Sequence, residues 1–225
     1  MKITRLMTSL LIPALIAALL ITGCDDKKKK KSTGTRALVV ASDFFTGSDV
    51  VSFKVPAGLS FSATDVSATV EPVKPLAATD TQSYYRKSKL YVLDRGSFPA
   101  NNGFLRVYDA SNNYALLSET SVGTNPQAMA FISDSEVWIT RYAMPSILVL
   151  NPQTNLASTE VPLDESLFTL SDTTLVDTDG SPESCGICVS AGKVYVAVQR
   201  IDNVSTYSPV GESFVIVFDA ASCAL

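Results

Sequence analysis

Residues 122–155, VGTNPQAMAFISDSEVWITRYAMPSILVLNPQTN, constrain the fold of this chain more than any other stretch. Short apolar runs at 128–132, 136–141 and 147–150 are separated by Ser133-Asp134-Ser135 and closed by Asn151-Pro152-Gln153-Thr154. Brief apolar runs punctuated by Ser, Asp, Asn and Pro predict consecutive antiparallel strands rather than helices. Pieces of the unit recur. Its second strand aligns with 38–42 (LVVAS), 90–94 (LYVLD), 137–141 (VWITR) and 194–198 (VYVAV). The strand that follows mostly ends in Asp or Asn: 50–54 (VVSFK), 105–109 (LRVYD), 148–151 (LVLN) and 216–219 (IVFD).

These starts recur at a loose period close to the roughly 40–50 residues of a propeller blade. The run Lys193-Val194-Tyr195-Val196-Ala197-Val198 does not alternate apolar with polar. A near-continuous apolar strand implies burial on both faces, as when sheets stack on one another. The expected fold class is therefore all-β, a β-propeller of antiparallel blades with about four blades in residues 36–225.

Residues 122–140 resemble a blade of the YVTN-type β-propeller repeat. The match runs through Val122-Gly123, Asn125-Pro126, the 128–132 strand and the Asp134 turn, with Val137-Trp138-Ile139-Thr140 in the YVTN position. Residues 146–154 continue it as the outer strand and turn. Arg141-Tyr142 departs from the small polar residues usual in the family, and insertions at 57–81 and 162–182 interrupt the period. The resemblance implies a disc of four-stranded blades that binds ligands or proteins on one face, with no shared catalytic residues. About four repeats is the lower limit of a closed propeller. The sequence ends directly after a third strand, so an incomplete propeller from a longer protein is expected.

The first 24 residues have the three parts of an export signal: Lys2 and Arg5, a largely apolar stretch at 6–20, and small residues before Cys24. Ile21-Thr22-Gly23-Cys24 resembles the lipobox of bacterial lipoproteins. That resemblance implies cleavage before Cys24 (signal peptide 1–23) and acylation of its thiol and amine. An uncleaved membrane anchor is the alternative, and Pro13 and the short apolar run weigh against it. Residues 24–35, with five consecutive lysines from Lys27 to Lys31, read as a disordered, solvated tether. Attraction to anionic lipid headgroups is the other reading.

Charge separates sharply along the chain. Residues 1–36 hold eight of the 18 Lys and Arg but two of the 22 Asp and Glu, leaving ten basic against twenty acidic residues in 37–225. An acidic folded part argues against phosphate-backbone recognition, so no nucleic-acid partner is expected. The chain has no histidine. That removes the commonest general base and metal ligand together, and with them His-based triads and mixed Cys/His zinc sites.

With Cys24 lipidated, Cys185, Cys188 and Cys223 remain, and an exported protein makes a disulfide the default. Either Cys185–Cys188 or a pairing with Cys223 would serve. A redox reading of Cys185-Gly186-Ile187-Cys188 lacks the helix that would activate a thiol. Asp177, Asp179 and Glu183 are weak calcium candidates near a Gly turn, with an ordinary acidic loop as the favoured reading. Arg95 and Phe98, and Arg141, Tyr142 and Met144, follow second strands in loops where binding residues collect, with ordinary packing as the favoured reading.

The expected function is a lipid-anchored binding or scaffolding module of the bacterial cell envelope. It would face the periplasm or cell surface from the inner or outer membrane, with a protein or small-ligand partner. It is expected to lack enzymatic activity and a cofactor. An accessory part of an enzyme or electron-transfer system, its active groups on other blades or on a partner, is the alternative. A structural surface-layer role is a third.

Overall fold

The computed structural model describes residues 36–42, 48–54, 71–76, 80–96, 102–163, 180–202 and 208–225. The expected export signal and lysine tether, with Cys24, and also Phe98, Asp177 and Asp179, lie outside the described residues. Every element among them is a strand, and every pairing is antiparallel. A first sheet orders β1 (Arg36–Ser42), β2 (Ser48–Lys54) and β3 (Glu71–Leu76). The second orders β4 (Thr81–Arg86), β5 (Lys89–Asp94), β6 (Asn102–Asp109) and β7 (Ala115–Thr124). The third orders β8 (Pro126–Phe131), β9 (Val137–Arg141), β10 (Ser146–Asn151) and β11 (Leu156–Pro162). In the last, β12 (Ser184–Ser190), β13 (Lys193–Val198) and β16 (Phe214–Asp219) pair in that order. A short hairpin of β14 (Ile201–Asp202) and β15 (Ser208–Pro209) rises between β13 and β16.

The four expected second strands are β1, β5, β9 and β13, and the strands after them are β2, β6, β10 and β16. One place differs: β1 is the edge of its sheet among the described residues, with no strand inside it. The full sheets are meanders in sequence order, the topology of propeller blades.

Blade stacking follows from the two-residue period of a strand. On β9, Val137 and Ile139 join Leu148 and Leu150 of β10 in a core with Tyr91, Leu93, Leu105, Val107 and Val122 of the preceding blade. Trp138, between them, points the other way. With Ile147, Val149 and Val161 it packs on Val194, Val196, Val198, Ile216 and Phe218 of the following blade. All five residues of β9 are buried, so the unbroken apolar run is a strand covered on both faces. Each such side chain contributes about 1.5–3 kcal/mol on burial. The aromatics of β5 and β9 reach to the next blade: Tyr91 meets Phe131 edge-on at 4.8 Å, and Trp138 meets Phe218 at 5.9 Å and 59°.

The Asp or Asn closing β6, β10 and β16 folds the next turn. Asp109 Oδ1 accepts from the Ser111 amide at 2.8 Å and Asn151 Oδ1 from Gln153 at 2.9 Å. Asp219 Oδ1 accepts from Ala221 and Ser222 at 3.0 and 3.1 Å. These are Asx turns, and they explain why this position favours a short side chain with an acceptor oxygen.

Candidate functional site: the long-connection end of the blades

Strand direction alternates within each blade, so connections fall at two ends. One end carries turns 87–88, 110–114, 132–136, 152–155 and 191–192. At the other end β5 leads on to β6, β7 to β8, β9 to β10, β11 to β12 and β13 to β16, so the strand ends flanking every long connection from β4 onward lie there. Loops on a rigid scaffold are where binding residues collect, which makes this second end the candidate site.

Three of the four second strands, β5, β9 and β13, lead there into an arginine: Leu93-Asp94-Arg95, Ile139-Thr140-Arg141 and Val198-Gln199-Arg200. The three have different surroundings. Arg95 is half-buried. It holds Asp80 at 3.2 Å and donates to the Gln127 carbonyl of the next blade at 3.4 Å. Arg141, one of the possible binding-loop residues, is 3% exposed. Its Nη2 donates to Ser146 Oγ at 2.6 Å and pairs with Glu160 at 3.0 Å, while Gly123 packs against its stem and guanidinium. Its main chain is joined to the following blade through Ser184 Oγ, which donates to its carbonyl and accepts from its amide. Arg141 is a structural tie between blades, in line with the packing reading of this residue. Arg200 is also buried.

Tyr142 stays half-buried at the rim. Its amide donates to the Asn125 carbonyl at 2.8 Å, and its carbonyl accepts from Ser181 Oγ at 2.6 Å. Met144 is half-buried beside it. The main chain of this loop is therefore fixed to blades on both sides, leaving the Tyr142 side chain on a rigid platform. Among the described residues, no cluster of three or more His, Cys, Asp or Glu could hold a metal ion. Glu183, the described member of the calcium candidates, is 0% exposed and accepts from the Ile201 amide at 2.6 Å. It anchors the β14–β15 excursion from beneath.

The thiols do not form the expected pair. Cys185, Cys188 and Cys223 are all free. Cys185 and Cys188 lie on one extended strand. At about 3.3 Å per residue they stand about 10 Å apart, beyond the ~7 Å Cα reach of a disulfide. Burial pushes the Cys185 and Cys223 thiols above their ordinary values, the reverse of a reactive thiolate.

Two groups at this end escape a sequence reading. Asp94, buried at the close of β5, caps the Gly96 amide at 2.9 Å and pairs with Arg106 of β6, which also holds Glu119 at 2.6 Å. Burial alone would lower the Arg106 value, but the two carboxylates outweigh it and raise it. The second is Glu160. Its hydrogen bond from Arg141, then that from Ser146, holds its carboxyl below the usual range. A depressed carboxyl stabilises the fold above its ordinary titration range, and that contribution disappears as pH falls through its folded value. Glu160 is half exposed, so solvent screening limits the effect to about 1 kcal/mol or less. In denaturant melts from about pH 7 to about pH 3, Glu160→Gln should be weaker than wild type at neutrality and converge with it in acid.

No family model matches the chain, and no curated protein does. Among solved structures, a chain of a nidogen/laminin complex is 12% identical over 84% of this chain and 56% of its own, with a TM-score of 0.49. The dihydro-heme d1 dehydrogenase NirN in complex with DHE is 14% identical over 84% of this chain and 33% of its own, with a TM-score of 0.48. The computationally designed Ika4 protein is 11% identical over 88% and 99%, with a TM-score of 0.47. This chain thus spans about half of the first and a third of the second. No activity, ligand or partner passes from them at such similarity.

Proposed function

We propose that this protein is an envelope lipoprotein, anchored through Cys24, whose propeller blades form a binding or scaffolding module. The observation that carries the binding role is the segregation of every long connection from β4 onward to one end of the blades. There Tyr142 is presented on a main chain tied to both neighbours. The lipobox-like Ile21-Thr22-Gly23-Cys24 supports the anchor, and the tether of residues 24–35 would hold the blades clear of the bilayer. Its partner is a protein or a small ligand of the envelope. The role is one of recognition, since the chain brings no histidine for acid–base chemistry.

Metabolic labelling with a radioactive fatty acid tests the anchor. Wild type should incorporate label and sediment with membranes, and Cys24→Ser should lose both; label retained by the variant would contradict lipidation at this residue. The binding end is tested by capture from detergent-solubilised envelopes. Tyr142→Ala should lose the captured partner, and Gln153→Ala at the opposite end should keep it. Equal capture by the two variants would place binding elsewhere.

A further inference from the structure

Strand direction fixes the end of the blades at which β1 begins. Leu76, the last residue of β3, comes four residues before Asp80. The Asp80 carbonyl accepts from the Arg95 amide at the long-connection end. Four residues reach at most about 14 Å, whereas the short turn after Arg86 lies about 20 Å along β4 from Asp80. β3 therefore ends toward the long connections. Register carries this level across the first sheet, with Leu76 opposite Ser48 and Ser48 opposite Ser42. At the other end of the sheet Arg36 lies opposite Lys54. Since β1 packs beside β4, the sheet stands alongside the second blade, and Arg36 opens it at the short-turn end.

The same end gathers exposed apolar side chains. Leu116 and Leu117 follow the 110–114 turn and Leu156 follows the 152–155 turn, so they open the outer strands of both four-stranded blades. They are 49%, 51% and 67% exposed. Tyr85, also exposed, precedes the 87–88 turn. Apolar side chains scattered singly over a surface need no explanation, but these share one end of successive blades. Exposed charges beside them come as pairs, Lys87 with Asp134 and Lys193 with Asp219. Such pairs leave little net charge for anionic headgroups to repel.

Resting on the reading that Cys24 carries a lipid, we infer that the short-turn end is a bilayer-contact surface. Leu116, Leu117 and Leu156 enter the headgroup layer, and the long-connection end faces away from the membrane. Cys24 precedes Arg36 by twelve residues. A flexible chain of that length spans about 20 Å on average, which keeps the short-turn end near the lipid. The opposite end stands about 20 Å farther along the strands. Apolar side chains at an interface add to the hold of a lipid chain and set which way the protein sits. Contact is confined to the rim, so the blades stay clear of the acyl chains and the candidate binding end is presented outward.

Tryptophan quenching tests this on full-length protein purified from envelopes and placed in phosphatidylethanolamine–phosphatidylglycerol vesicles, with and without acyl-brominated lipid. Trp138, the chain's one tryptophan, is buried and gives a constant background. Leu156→Trp should add emission that shifts to the blue on vesicles and is quenched by the brominated lipid. Gln199→Trp, at an exposed position after β13 on the opposite end, should add emission that does neither. Quenching at both positions, at neither, or at Gln199→Trp alone would overturn the inference. The intact mass of the same protein reads the anchor separately. Unlipidated protein would refute the anchor and this orientation together, whereas lipidated protein with Leu156→Trp unquenched would refute the orientation alone.

Discussion

Replacing Trp138 by Ala should cost about 3–5 kcal/mol, the largest loss expected of a single truncation in this chain. The indole is 0% exposed. It fills the seam between two blades, against Phe218 on one strand and Val149 on the neighbouring one. Its Nε1 donates to Glu136 at 2.8 Å, so the polar end is satisfied and the whole ring counts as buried payload. Truncation leaves a cavity between rigid sheets, which collapse less readily than a helix surface. Urea melts should show the midpoint falling steeply. Leu116→Ala, at an exposed β7 position, should change it little. Comparable losses in the two variants would mean that the seam is not where the stability lies.

Gly103→Ala should be the most damaging of the small-to-large changes. A Cβ at this position would lie 2.3 Å from the Pro126 ring and 2.9 Å from the Asp94 carbonyl oxygen. The proline ring is stiff and the carbonyl belongs to the backbone of β5, so neither neighbour can swing aside. Overpacking of this kind costs about 1–3 kcal/mol and occasionally more. The strain falls where β6 and β7 meet the start of the next blade, close to Arg95. A thermal melt should show a clear loss for Gly103→Ala but a small one for Gly186→Ala, where the nearest atom is a side-chain carbon at 3.6 Å. Equal melting of the two would contradict the close approach.

The blade pattern was legible in the sequence because strand burial leaves a direct mark. Val137-Trp138-Ile139 is apolar without alternation, and the structure covers both its faces. The Asp or Asn closing three of the four third strands was visible too, and Asx turns give it a cause. The surroundings of Arg141 were not legible, because two of its partners come from elsewhere in the chain. Glu160 lies on the outer strand of its own blade and Ser184 on the next, and only assembled blades bring them to it. A signal for its structural role did exist: Arg95, Arg141 and Arg200 all close second strands, a repetition that suits a scaffold better than a single binding loop. The Cys185–Cys188 spacing misled for the opposite reason. Spacing along the sequence is short, but an extended strand turns it into distance.

The stacking of blades through their second-strand aromatics is tested most directly by a double-mutant cycle between Trp138 and Phe218, which meet only if the two blades pack face to face. With Trp138→Ala, Phe218→Ala and the double variant compared by urea unfolding, a coupling of about 0.5–1.5 kcal/mol is expected. Strictly additive losses would contradict the seam, and with it the stacked-blade architecture.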